Sequence, residues 1–79
     1  MPYYEFLWTD EIIAHLAEHD VSTHDFEEVV SNPDRLDVSR SSGRPCCWGR
    51  TTDGRRLFCV YDFLDDMTII PVTAYEVGV

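Results

Sequence analysis

Trp48-Gly49-Arg50-Thr51-Thr52-Asp53-Gly54-Arg55-Arg56-Leu57-Phe58-Cys59-Val60-Tyr61 decides the fold, because it sets a turn dipeptide between two β-prone runs. Asp-Gly so flanked is a strong hairpin signal, since both residues tolerate the positive φ that a two-residue turn demands. The spacing predicts one strand over residues 46–51 and another over 56–63, the second apolar on both faces as a central strand would be. Downstream, Asp65-Asp66 turns the chain into a third strand over 67–75, where Pro71 argues for an edge or bulge position. Upstream, residues 35–39 alternate charged and apolar side chains like an edge strand, and Ser41-Ser42-Gly43 forms the turn that follows.

Before residue 35 the apolar period lengthens from two to nearly four. Thr9 reads as an N-cap, with Asp10 and Glu11 in the first turn where the helix dipole favours acids, and Ile12, Ile13 and Leu16 follow at helical spacing. This helix is expected to stop at His19-Asp20, with Asp20 in the left-handed position after the cap. Ser22 and Asp25 resemble a capping box for a second helix carrying Phe26, Val29 and Val30, which Asn32-Pro33 ends. The aromatic run from Tyr3 to Trp8 reads as a first strand. The expected fold is α+β: an N-terminal strand, two short helices, then an antiparallel three- to four-stranded sheet, in a single domain over residues 1–79.

Two-residue loops at both turns would place Arg50 opposite Leu57, Trp48 opposite Cys59 and Cys46 opposite Tyr61. The same rule sets Leu57 against Ala74, Cys59 against Val72 and Tyr61 against Ile70, all on one core face. The other face would carry Thr51, Arg56, Phe58, Val60, Asp62, Ile69, Thr73 and Tyr75. Its mixture of polar and apolar side chains makes it a candidate binding surface.

Charge is unevenly distributed along the chain. The net charge is −9, yet all six basic residues are arginines and all lie between Arg35 and Arg56, while residues 1–34 hold nine acids and no Lys or Arg. The whole-molecule field opposes nucleic acid at long range, but a local arginine patch can still bind it. The 79 residues, 44% hydrophobic, suffice for a modest core, and a homodimer or bound partner would add stability to so small a domain. No apolar run spans a membrane and the N-terminus lacks the pattern of a secretion signal, so no membrane partner is expected. Three cysteines without ligand spacing read as buried thiols in a reducing, cytoplasmic setting. Cys46 and Cys47 should point to opposite faces, with Cys59 near one of them.

Several blocks together resemble a known family. Phe6-Leu7-Trp8-Thr9-Asp10-Glu11, then Leu16-Ala17-Glu18-His19-Asp20-Val21-Ser22, then Phe26-Glu27-Glu28-Val29-Val30 and Asn32-Pro33 look like the BrnT-type toxins. Gly49-Arg50-Thr51-Thr52-Asp53-Gly54-Arg55-Arg56-Leu57-Phe58, Val60-Tyr61 and Ile69-Ile70-Pro71-Val72-Thr73-Ala74-Tyr75 continue the likeness, which spans roughly residues 6–76. The resemblance implies a RelE-like fold and a metal-independent ribonuclease, the toxin of a bacterial toxin–antitoxin pair, neutralised by a cognate antitoxin. The alternative is a non-enzymatic interaction module of the same fold, favoured by the acidic net charge and by non-basic residues at positions where the family is basic.

The candidate site follows from both lines of argument. Arg50, in the family's Gly-Arg pair, and Arg56, on the mixed face, are the groups expected to stabilise charge on a phosphate in flight; His19 is a further catalytic candidate, its competing role being to orient the helix–helix turn through a backbone hydrogen bond. Arg55 and Tyr75 are candidate RNA contacts, the first through phosphate and the second by stacking on a base. The competing reading of the arginines is pairing with the protein's own carboxylates, Arg55 with Glu76 in particular. His15 and His19 share a helical face at a spacing that can bind metal, but His-Leu-Ala-Glu-His lacks the order of a zinc-protease motif. No metal or cofactor is expected.

Overall fold

The computed structural model describes residues 4–78. Seven elements follow in order: β1 (Glu5–Phe6), α1 (Asp10–Glu18), α2 (Thr23–Ser31), β2 (Arg35–Val38), β3 (Pro45–Arg50), β4 (Arg56–Phe63) and β5 (Thr68–Glu76). They build one mixed sheet in the order β1-β5-β4-β3-β2. β2 to β5 are antiparallel neighbours as expected; β1 adds a fifth strand, parallel to β5, with Glu5 beside Thr68 and Phe6 beside Ile69. Of the first strand expected over residues 3–8, only Glu5 and Phe6 pair, and Tyr3 lies outside the described residues. No helix among the described residues is long and apolar enough to cross a membrane.

Local chemistry fixes both helices. The Thr9 hydroxyl accepts the Ile12 N–H at 3.2 Å, which starts α1. Asp20, at φ 60°, ends it: its N–H reaches the Ala17 carbonyl at 3.0 Å and the Val21 N–H reaches Leu16 at 2.9 Å, the double closure that a left-handed residue permits. Ser22 and Asp25 form the reciprocal capping box of α2, at 3.1 and 3.4 Å.

One face of the sheet carries the core. Leu16, Val21, Phe26, Val29 and Val30 from the helical half pack on Cys47, Leu57, Cys59, Tyr61, Ile69 and Ala74. Phe26 meets Phe6 and Trp8 edge-on, and the Trp8 indole N–H donates to Glu27 Oε2 at 2.6 Å, so its polar edge is satisfied. Gly49 lets the end of α2 approach β3: a Cβ there would stand 3.0 Å from Val29 Cγ1 and 3.5 Å from both the Asn32 carbonyl oxygen and Pro33 Cα.

The register differs from the expected one. Cys46 faces Val60, Cys47 faces Cys59, Trp48 faces Phe58, Gly49 faces Leu57 and Arg50 faces Arg56. The connection is Thr52-Asp53-Gly54 rather than Asp53-Gly54 alone: Thr51 N–H bonds the Arg55 carbonyl at 2.8 Å, Gly54 N–H bonds Thr51 at 3.0 Å, and Gly54 takes φ 90°. That extra residue reverses the faces of β3, so Cys46, Trp48 and Arg50 leave the expected core face. Between β4 and β5, Leu57 faces Glu76 and Cys59 faces Ala74, then a bulge shifts the pairing so that Tyr61 meets Pro71. Pro71 thus sits at a bulge, as its missing donor suggested, and Ile69 moves to the core side.

Candidate functional site

The face of the sheet opposite the helices gathers most of the candidate residues. Arg50 and Arg56 are direct cross-strand neighbours beside the β3–β4 turn, and both are exposed. Neither forms an ion pair among the described residues, whereas Arg35 pairs with Asp37 (3.9 Å), Arg44 with Asp62 (3.5 Å), and Arg55 with Asp25 (3.6 Å) and Glu76 (3.1 Å). Two uncompensated guanidiniums side by side persist only because water solvates them, and a phosphate can replace that water. They help to line a cleft of about 240 Å³ that also includes Asp53, Gly54, Arg55, Glu76 and Val77.

Tyr75 pairs with Phe58 one step along the same face and is 42% exposed. Beyond it lies α1. Because β1 covers only Thr68 and Ile69 of β5, the rest of that edge is free for α1 to border. His15 Nε2 sits 2.9 Å from the Thr73 hydroxyl, and the His19 ring lies 6.3 Å from the Tyr75 ring and 5.2 Å from that of His15. Thr73 and Tyr75 alternate with buried Ala74, so both histidines reach round the sheet edge to the open face. No hydrogen bond from the His19 ring to backbone forms among the described residues. Its backbone N–H closes α1, while its ring faces Tyr75.

Arg55 is placed elsewhere. Expected as an RNA contact, it instead points to the helix side, where Asp25 of α2 and Glu76 of β5 hold it. The Glu76 hydrogen bond raises its pKa, so the guanidinium is fixed as a structural cation. The structure therefore places Arg50, Arg56 and Tyr75 on one face with the His19 ring beside Tyr75, while Arg55, which lines the same cleft as Arg50 and Arg56, is turned toward the carboxylates of the helix side.

The hairpin tip is anchored by carboxylates. Glu28 Oε1 accepts the Thr52 N–H at 2.8 Å and its other oxygen takes the Thr52 hydroxyl, which holds the Glu28 carboxyl below its ordinary pKa. The Thr51 hydroxyl donates to Asp53 with the same effect on that carboxyl. These bonds fix the loop that carries Arg50 and Arg56 against the end of α2. The cysteines are free and buried, with Cys46 on the opposite face from the facing pair Cys47 and Cys59. The hydrogen bond that the Cys59 thiol donates to Cys47, together with burial, pushes the Cys59 thiol up, and burial pushes Cys46 up, so neither is a ready thiolate. Among the described residues no three of His, Cys, Asp or Glu converge as a metal site needs.

Two residues of this face were assigned no role from sequence. Trp48 and Phe58 stand between Arg35 and Tyr75, with ring centroids 4.8 Å apart. Phe58 was expected on the mixed face but given no part, and Trp48 was expected in the core. One signal would have found Trp48: the two-residue register buries Arg50, an uncompensated charge, and shifting by one residue removes that cost. No family model matches the chain, and neither a curated protein nor a solved structure matches it.

Proposed function

We propose that this chain is a BrnT-like toxin domain, a metal-independent ribonuclease whose RNA-engaging surface is the open face of the sheet and whose activity a cognate antitoxin restrains. The observation that carries the reading is the pairing of Arg50 with Arg56, exposed and without carboxylate partners among the described residues, on the face that also holds Tyr75, beside which the His19 ring lies. In such a reaction the 2′-hydroxyl attacks the adjacent phosphorus, negative charge grows on the phosphoryl oxygens, and the leaving 5′-oxygen takes a proton. Two guanidiniums answer the growing charge, and an imidazole is the group here suited to the proton transfers. The acidic helical half, with nine acids and no Lys or Arg in residues 1–34, offers a basic antitoxin segment its counter-surface.

The test is induced expression and purified-protein cleavage of RNA in chelator. Arg50→Ala and Arg56→Ala should each lower cleavage by about 100-fold or more, the usual cost of removing a group that stabilises transition-state charge. A wild-type chain that neither arrests growth nor cleaves RNA removes the reading. The second reading, a non-enzymatic interaction module of the same fold, is favoured by one observation: Arg35, Arg44 and Arg55 are already matched to the protein's own carboxylates. That module would be harmless on induction and would still form a complex with its partner.

A further inference from the structure

Trp48, Phe58 and Tyr75 stand side by side on three adjacent strands, β3, β4 and β5, with ring centroids 4.8 Å and then 5.4 Å apart. Arg35 lies over the outer side of Trp48, 5.3 Å from its ring, and the His19 ring continues the row 6.3 Å beyond Tyr75. The buried residues of both helices pack on the other side of the sheet, while the Arg35 guanidinium and the His19 ring flank this row. Arg50 follows Trp48 and Arg56 precedes Phe58 at two-residue spacing, which sets the free guanidiniums alongside the rings on the same face. None of the three rings belongs to the buried core cluster: Trp48 and Phe58 are half-buried and Tyr75 is exposed, which leaves a partly open aromatic row beside the two arginines.

We propose that Trp48, Phe58 and Tyr75 form a stacking platform for unpaired nucleobases, with Arg50 and Arg56 holding phosphates of the same strand. The proposal rests on the RNA reading above and narrows its ligand to single-stranded over duplex RNA. A duplex keeps its base faces against one another and offers such a platform nothing, whereas unpaired bases splay onto aromatic side chains. Electrostatics point the same way. Duplex binding without base contacts relies on many phosphate contacts, but on a chain of net charge −9 this face supplies two guanidiniums that are unpaired among the described residues. Stacking acts at contact range and is indifferent to that field, so it must supply most of the affinity.

The experiment uses the full chain, a fluorescently labelled 2′-O-methyl RNA decamer that cannot be cleaved, and the same decamer annealed to its complement. Fluorescence anisotropy at fixed salt should show the single strand bound about tenfold or more tighter than the duplex, with tryptophan emission quenched on binding. Tyr75→Ala and Trp48→Leu should each weaken single-strand binding by about fivefold or more, while Tyr75→Phe, which keeps the ring, stays within about twofold of wild type. Tyr75 is exposed, so its variants report even if Trp48→Leu fails to fold. Arg50→Gln and Arg56→Gln should each reduce the dependence of log affinity on log salt by about 0.7.

Duplex binding as tight as single-strand binding, or wild-type binding by Tyr75→Ala, overturns the platform, as does no binding to either oligonucleotide. Because the decamer cannot be cut, the two readings fail separately. Single-strand binding in a protein that never cleaves RNA keeps the platform and removes the enzyme. Cleavage by a protein whose Tyr75→Ala variant binds normally removes only the platform.

Discussion

On the sheet face that meets the helices, Leu57, Cys59, Ile69 and Ala74 are fully buried and the one guanidinium, Arg55, is held between Asp25 and Glu76. On the opposite face the same strands present Trp48, Phe58 and Tyr75 uncovered by any helix, with Arg50 and Arg56 lacking carboxylate partners among the described residues. Because side chains alternate along a strand, β4 divides by parity: Leu57, Cys59 and Tyr61 go to the core, and Arg56, Phe58 and Val60 to the open face. Mutational effects should divide the same way. Leu57, Cys59 and Tyr61 carry stability, as does Val60, which is buried although it faces the other way, while Arg56 and Phe58 carry the surface.

The largest contrast is expected between Leu57 and Phe58. Leu57→Ala deletes a fully buried side chain and should cost about 2–5 kcal/mol in urea unfolding. Phe58→Leu, one residue on, should cost under about 1.5 kcal/mol. Equal losses would show that the open face is a second core and that something covers it. Gly49→Ala comes next. Its new methyl meets Val29 at 3.0 Å and should cost about 1–3 kcal/mol by pushing α2 from the sheet. A neutral Gly49→Ala would mean that the helix packs less closely than the structure has it.

The adjacent arginines sharpen the comparison on a smaller scale. Arg55→Gln leaves Asp25 and Glu76 without their cation and should cost about 1 kcal/mol, the Arg55 side chain being 20% exposed. Arg56→Gln should stay within about 0.5 kcal/mol of wild type. RNA binding should move in the opposite order, with Arg56→Gln weakening it and lowering its salt dependence and Arg55→Gln leaving it unchanged. If Arg55→Gln alone lost binding, the assignment of faces would be reversed.

How far the sequence reached depended on the range of the interactions involved. Thr9, Asp20 and the Ser22–Asp25 box act within a few residues, and each does in the structure what its residue type predicts. Pro71 announced a break in the ladder through a missing donor, and the bulge lies there. The register of β3 on β4 was not legible from Asp53-Gly54, because that pair serves a two- or a three-residue loop equally well and only Thr51 N–H to the Arg55 carbonyl selects between them. One residue of ambiguity in a turn reverses a whole strand, which hid Trp48 and placed Arg50 in the core. The parallel pairing of β1 with β5 joins distant parts of the chain and has no local signature. Arg55 and Glu76 were matched by the expected register and do meet, although the observed register sets Glu76 opposite Leu57, and Asp25, the second partner, comes from how α2 docks.

The smallest expected effect concerns the tie between α2 and the hairpin tip, and it again separates the faces. Glu28 and Asp53 accept hydrogen bonds from Thr52 and Thr51, so both carboxyls sit below their ordinary values in the folded state. A depressed carboxyl binds its proton less readily folded than unfolded. Its contribution is therefore complete above the unfolded pKa and is lost as pH falls through the folded one. Acidification from neutral to about pH 3.5 should lower the urea midpoint of the wild type more than that of Glu28→Gln, whose amide oxygen still accepts from Thr52 but cannot titrate. Arg56→Gln should follow the wild-type acid response, because Arg56 has no carboxylate partner to protonate among the described residues. Glu28 remains open to solvent, so the difference between Glu28→Gln and wild type is a small shift in midpoint. Should Glu28→Gln titrate just like wild type while Arg56→Gln does not, the acid-labile contacts would lie on the open face, and Arg56 would have a carboxylate partner after all.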